Sequence, residues 1–393
     1  MFLYSSILGL NLHLNVILMS ESYPSSPVLV PPVSALDVLV IGATPAGLAA
    51  ALAYARLGLS VRIIESHAGI SPLNGSVSLN ARALELLEAL QIAEKIIQAG
   101  HKISHLEIRN ANYKKITDLD FSHLHHKYPF LLALPQSELE KILIEALKSY
   151  GVLIEFGTSL ISHMQQEILV TCDLKNAQGS ESQIISKIVV AAEGEFSNIR
   201  QKLKIGFGLT EYQHHWSLVD IQTDLNYGDA TCCLLPDGLL YVQRIKNNLF
   251  RIVSNLSNAH TFLPQPVKAE EIIWHTERRV TTHQIRSYQY GRIFFVGDCA
   301  HQHLPWDGRD LSMGLEDAVT LAAMTMDQCL EQYHDHRYKA NLKVLYDSER
   351  LVRLMGQAHS PFFNRVREWV LKNLLTRPSV QSRVLVGMSG LGF

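Results

Sequence analysis

"DVLVIGATPAGLAAALAYARLGLSVRIIE" (residues 37–65) changes its hydrophobic period twice within one short stretch. "VLVI" is an aliphatic run of the kind a strand covered on both faces needs. Gly42, Ala43, Thr44, Pro45, Ala46 and Gly47 follow as a turn of small residues. "LAAALAYARLG" reads as a small-residue helix, with Gly58 just past its end as a C′ residue. "SVRIIE" is a second strand. The whole is a βαβ unit whose helix opens on a Gly-rich turn. The N–H groups and positive dipole end there suit a pyrophosphate. Glu65 closes the second strand 23 residues after Gly42, where a carboxylate accepts hydrogen bonds from ribose hydroxyls. Thr44 occupies the middle glycine position of G-x-G-x-x-G, which weakens the fingerprint because that glycine lets the backbone approach phosphate. The stretch predicts dinucleotide binding and leaves NAD and FAD both open.

The rest of the chain bounds the reading. At 393 residues it is long enough for about two or three domains. Hydrophobic residues make up 47% and charged residues 18%, ordinary for a globular protein. The net charge of −2 argues against nucleic-acid binding, which needs a basic face. Cys172, Cys232, Cys233, Cys299 and Cys329 are scattered and form no C-x-x-C pair, so reduced thiols and a cytoplasmic location are expected. Residues 2–19 are mostly apolar but lack a preceding Lys or Arg and contain Asn11, His13 and Asn15. They read as upstream of a true start at Met19, or as a tail, sooner than as a membrane anchor. "SYPSSPVLVPPVS" (22–34) is a Pro/Ser-rich linker.

Four distant segments choose between the dinucleotides. "SVSLNARALELLEAL" (76–90) places Arg82 at the opening of an amphipathic helix, and "YPFLLALPQSELEKILIEAL" (128–147) places Gln136 between a strand and a helix. "IVVAAEGEFSNIRQKL" (188–203) ends a strand at Glu193-Gly194, and "GDCAHQHLPWDGRDLSMGLEDA" (297–318) runs from a strand-like "GRIFF" into a helix. In this order and spacing the chain resembles the class A FAD-dependent aromatic-ring monooxygenases of the p-hydroxybenzoate hydroxylase fold. The similarity is to the branch with phenol, polyketide and rifampicin hydroxylases, and it covers nearly all of 37–391.

The resemblance implies an α/β fold: a Rossmann-like, glutathione-reductase-type FAD-binding domain, an inserted mixed β-sheet substrate domain, and C-terminal helices. Its expected boundaries are an extension at 1–36; the FAD-binding domain at 37–102, 131–205 and 286–330; the substrate domain at 103–130 and 206–285; and a helical segment at 331–393. Some relatives carry a further thioredoxin-like domain, and none is expected here, where the sequence reads to "MSGLGF".

The resemblance also implies roles. Glu65 would bind the adenosine ribose. Arg82 and Gln136 would face the flavin's phosphate and ribityl region, and Asp298 would accept from a ribityl hydroxyl. Pro305, Gly308, Leu311 and Ser312 would wrap the isoalloxazine ring, with the following helix aiming its positive end at the reduced flavin. NAD(P)H would reduce FAD, and O2 captured as a flavin C4a-hydroperoxide would hydroxylate a small aromatic substrate. A monomer or homodimer is expected. A flavin dehydrogenase or oxidase without oxygen transfer is the alternative, beside a non-catalytic flavoprotein.

The sequence departs from the family where Glu193 replaces the usual Asp and where "GGxGxN" becomes "DGRDLS" (307–312). Asp310 is therefore expected to act as the N-cap of the helix that follows. His301 and His303 read as packing or hydrogen-bonding residues, since no third metal ligand follows at suitable spacing. No side chain is singled out as the substrate's base.

Overall fold

The computed structural model describes residues 35–70, 75, 77–208, 212–224, 227–305, 308–356 and 361–392. The expected N-terminal extension thus lies outside the described residues, apart from its last two positions. Residues from Ala35 onward form one compact unit.

Strand Leu36–Ile41 lies at the centre of an eight-stranded sheet. It pairs in parallel with Val61–Glu65 on one side and Glu181–Ala191 on the other, Val38 facing Val61 and Ile188. Ile154–Phe156 and Ile293–Phe295 extend the parallel part at its two sides. The aliphatic run predicted this: Val38 to Val40 are fully buried, as a strand covered on both faces must be.

Helix Pro45–Arg56 crosses over this sheet with every residue from Pro45 to Ala55 buried. Its small residues make that possible. A Cβ on Gly47 would lie 2.1 Å from the carbonyl oxygen of Gly42, and one on Gly42 would lie 2.3 Å from that of Ala192. Gly42 also sits at φ +105°, where side chains are strained. Burying Leu48 and Leu52 here contributes roughly 1.5–3 kcal/mol each.

A second eight-stranded sheet contains His105–Asn110, Lys115–Asp120 and the strands from Tyr212–Gln222 to Ile272–Gln284, and ends on the short strand His301–Gln302. It is antiparallel except where Ala230–Leu234 pairs with His105–Asn110. Strand alternation sends Cys232, Tyr241 and Val253 into the main core and Cys233, Val242 and Ile252 into a separate cluster on the outer face. Helices Tyr333–Gly356, Pro361–Leu374 and Pro378–Met388 complete the chain. All five cysteines are free thiols. Among the described residues no helix is long and apolar enough to cross a membrane.

Candidate flavin site

The turn after the first strand forms one wall of a cavity of about 150 Å³ that Gly42, Ala43, Thr44, Glu65, Gln136, Glu140 and Glu193 line together. Glu65 is held in place by its own turn. Its Oε2 accepts from the Ala43 amide at 2.8 Å, and its Oε1 accepts from the His67 amide at 2.9 Å. Burial works to raise its pKa, but these bonds hold it below the ordinary value, so Glu65 is a fixed carboxylate.

Thr44 has a role the glycine fingerprint does not predict. It is the N-cap of helix Pro45–Arg56: its Oγ1 accepts from the Gly47 amide at 3.3 Å and donates to the Ala192 carbonyl at 3.0 Å. The residue that departs from the motif thereby ties the helix start to strand Glu181–Ala191. No acidic side chain lies in that helix's first turn, which leaves its positive end suited to an anion.

Gln136 opens helix Gln136–Ser149 and donates from Nε2 to Glu140 Oε1 at 2.8 Å. Sequence reasoning missed Glu140. It is 4% exposed, and burial, with the nearby charge of Glu65, raises its pKa to about 7 against the pull of Gln136. Its helical spacing from Gln136 was the available signal. Glu193 uses its extra methylene locally, accepting from Ser197 Oγ at 2.6 Å and the Ile199 amide at 3.1 Å, and so caps helix Asn198–Lys202.

Arg82 is not among the residues lining this cavity. Its guanidinium reaches Glu316 from Nε at 3.0 Å and Glu85 from Nη1 at 2.9 Å.

Asp298 belongs to a second, smaller cavity of about 40 Å³, lined also by Glu195, Arg278, Arg279, His303 and Asp310. Its side chain is exposed at the mouth of this cavity, although protein atoms crowd around it. Burial first, and the charge of Asp310 second, raise its pKa to about 6. The start of helix Pro45–Arg56 and this turn touch: a Cβ on Gly297, which has φ +64°, would lie 2.8 Å from Ala46 Cβ. Pro45, Ala46 and Gly47 are buried and line neither cavity, Ala46 packing against the Gly297 turn.

The 305–312 segment divides. Pro305 is half-buried, and Asp307 lies outside the described residues. Gly308, at φ +69°, is the N-cap of helix Arg309–Met326, and a Cβ there would meet the Ser78 carbonyl oxygen at 2.6 Å. This corrects the expected cap. Asp310 lies inside the first turn, where its Oδ1 accepts from the Leu311 amide at 2.8 Å. Leu311 and Ser312 are buried, and Ser312 Oγ donates back to the Gly308 carbonyl at 3.1 Å, so neither side chain lines the described cavities.

Asp317 organises this region from below, and sequence reasoning missed it. Fully buried, it accepts from the Gly297 amide at 3.0 Å, His301 Nε2 at 2.7 Å and Arg337 Nε at 2.7 Å. Burial works to raise its pKa, but His301 and Arg337 hold it down at about 2. His301 therefore has the hydrogen-bonding role expected of it.

The glycine cradle, the acid-free helix start and the fixed carboxylate of Glu65 fit the adenosine and phosphate end of a dinucleotide. The family described as "FAD binding domain" matches residues 35–236 and 243–348. The uncharacterized aromatic compound monooxygenase YhjG of Bacillus subtilis is 28% identical over 90% of this chain and 75% of its own length. Pentachlorophenol 4-monooxygenase of Sphingobium chlorophenolicum is 28% identical over 72% of this chain, which spans only 57% of that relative. Among solved structures, p-nitrophenol 4-monooxygenase PnpA from Pseudomonas putida superposes with a TM-score of 0.83 at 22% identity, covering 91% of this chain and 98% of its own.

Proposed function

The chain belongs to the FAD binding domain family, and from that premise we propose that it is an FAD-dependent, NAD(P)H-consuming monooxygenase that hydroxylates an aromatic or polyketide-like small molecule. The observation that carries this reading is the convergence of Ala43, Glu65 and Gln136 on one cavity beside the start of helix Pro45–Arg56. When bound, FAD supplies the electron transfer and oxygen activation. Glu65 would hold the adenosine ribose, the helix start would face the pyrophosphate, and Asp298 would face the ribityl chain.

The chain's own residues then set the electrostatics. Asp298, with its pKa near 6, holds or releases a proton at its carboxylate close to neutral pH. The substrate would lie against the inner face of the mixed sheet, which carries Tyr241, Gln243 and Arg251. Arg251 is buried, paired with Asp220, and donates from Nη1 to the Gly75 carbonyl at 2.8 Å, which ties that face to the loop before Ser78. A substrate bound against these buried residues would be kept from water.

A flavin dehydrogenase or oxidase without oxygen transfer is the second reading, and the charges of Asp298 and Asp310 in one cavity bear on how readily the flavin is reduced in either case. Denaturation of the purified protein should release FAD. NAD(P)H turnover with phenolic substrates, followed by product analysis, separates the readings: a hydroxylated product supports oxygen transfer, and H2O2 alone supports the second.

A further inference from the structure

We propose that a cavity on the outer face of the mixed sheet is a second small-molecule site, one that takes a neutral, oxygen-bearing aromatic compound. The cavity measures about 390 Å³, and Tyr113, Tyr227, Thr231, Cys233, Val242 and Leu263 are among its walls. Strand alternation separates it from the flavin side. Cys233 and Val242 point outward into their own apolar cluster, while Cys232 and Tyr241 point inward to the main core. One sheet thickness of backbone lies between the two faces.

Two independent features of this cavity are unfavourable unless a ligand offsets them. Tyr113 occupies the turn between strands His105–Asn110 and Lys115–Asp120 at φ +58°, a conformation that a bulky residue adopts with strain and that Gly or Asn adopts readily. The strained turn places a phenol ring in the cavity wall. Its hydroxyl is shielded from solvent and has no hydrogen-bond partner among the described residues, and the same holds for the hydroxyl of Tyr227. Both residues line one cavity while their hydroxyls are buried beside it without partners, so a ligand that enters and shifts either ring slightly meets a donor and acceptor set.

The lining sets the ligand class. Glu107 and Arg109, the charged residues of the wall, neutralise one another, with Arg109 Nε on Glu107 Oε2 at 2.9 Å, so no net charge calls for an ionic ligand. Val242, Leu263 and Pro264 give apolar surface, and the Tyr227 ring is braced edge-on by Phe250 at 5.6 Å. Cys233 adds to that surface as a neutral thiol, its pKa raised to about 12 mainly by burial. Apolar walls with a pair of phenolic hydroxyls suit a ring system of one or two rings bearing hydroxyl or carbonyl oxygens.

The probe is 2-naphthol, titrated calorimetrically into the full-length protein with its FAD. The Tyr113→Phe/Tyr227→Phe double variant keeps the shape and removes both hydroxyls, and Val242→Trp fills the cavity. Binding should weaken about tenfold in the double variant, the order expected for lost hydrogen bonds, and disappear in Val242→Trp, with FAD content unchanged in both. Should Val242→Trp fail to fold, the double variant alone decides. Titrations that coincide for the wild type and the double variant place any binding elsewhere and overturn the proposal, as does a wild type that binds no 2-naphthol. The flavin reading is scored separately by FAD content, so either conclusion can fail without the other.

Discussion

Asp310 and Asp298 line the same small cavity, and the charge of Asp310 adds to burial in raising the pKa of Asp298 to about 6. If the flavin's reduced edge lies against them, that charge also opposes reduction. At about 5 Å and an effective dielectric of about 20, a full charge is worth roughly 3 kcal/mol, or about 70 mV for two electrons. Asp310 is partly exposed, so screening reduces the figure to tens of millivolts. Asp310→Asn should raise the flavin midpoint by that amount and lower the pKa of Asp298. A redox titration against a dye of known potential reads the first effect. A midpoint unchanged within about 10 mV would retire the electrostatic role and leave Asp310 a local one, such as its bond to the Leu311 amide.

Glu65→Ala should weaken FAD binding by about 1.5–3 kcal/mol, the loss expected for a charge-assisted hydrogen bond to ribose. The substitution also releases the Ala43 amide, which Glu65 holds at 2.8 Å. Quenching of FAD fluorescence on titration gives the affinity. A loss of a few tenths of a kcal/mol would show that Glu65 serves only its own turn.

Glu140 makes stability depend on pH. Burial raises its pKa from 4.5 to about 7 in the folded chain. Between those values the folded chain binds this proton and the unfolded chain does not. Stability therefore falls as pH rises through that window, by about 3 kcal/mol in total, and levels off above it. Glu140→Gln retains an acceptor for Gln136 and removes the ionisation. Urea unfolding of the flavin-free protein should show the variant more stable than wild type at pH 8 and equal to it at pH 4. Parallel profiles would mean that the carboxyl is hydrated.

The 37–65 unit was legible because its signals are local: an aliphatic run, a turn of small residues, a helix and a terminal acid. The place of Glu65 at the cavity was legible because strand ends and turn lengths fix where a side chain can reach. The contacts of Arg82 were not, since its partner Glu316 is 234 residues away and the order of segments says nothing of which acid meets a guanidinium. Thr44 reads as a blemish when the motif is counted and as a cap once Ala192 is beside it. The cap was misplaced by two positions because Asp is a common cap, while the left-handed φ of Gly308 and its close approach to Ser78, both of which favour glycine, appear only in the folded chain. Asp317 gave no local signal. Its partners Gly297, His301 and Arg337 meet only after the sheet and helix Arg309–Met326 have packed.

Asp317 is a position where one substitution should cost both stability and flavin affinity. Its carboxylate is the shared acceptor for Arg337 Nε, His301 Nε2 and the Gly297 amide, all within 3.0 Å and all buried. Asp317→Asn keeps the size but puts an amide against four donors, Asn341 Nδ2 at 3.1 Å being the fourth, and leaves the Arg337 charge without its main partner. Breaking one side of a buried ion pair costs about 3–5 kcal/mol. For a chain of this size that is a drop of several degrees in Tm. The Gly297 turn should loosen with it, so FAD affinity should fall although Asp317 itself lies beneath the cavity. Arg337→Met tests the origin of the loss: it should destabilise by a similar amount, and the double variant should cost less than the two single changes summed, because the two changes remove the same shared contact, Arg337 keeping only Glu316 and Asn341 once Asp317 is gone. Simple additivity in that cycle would show that Asp317 acts on the Gly297 turn alone.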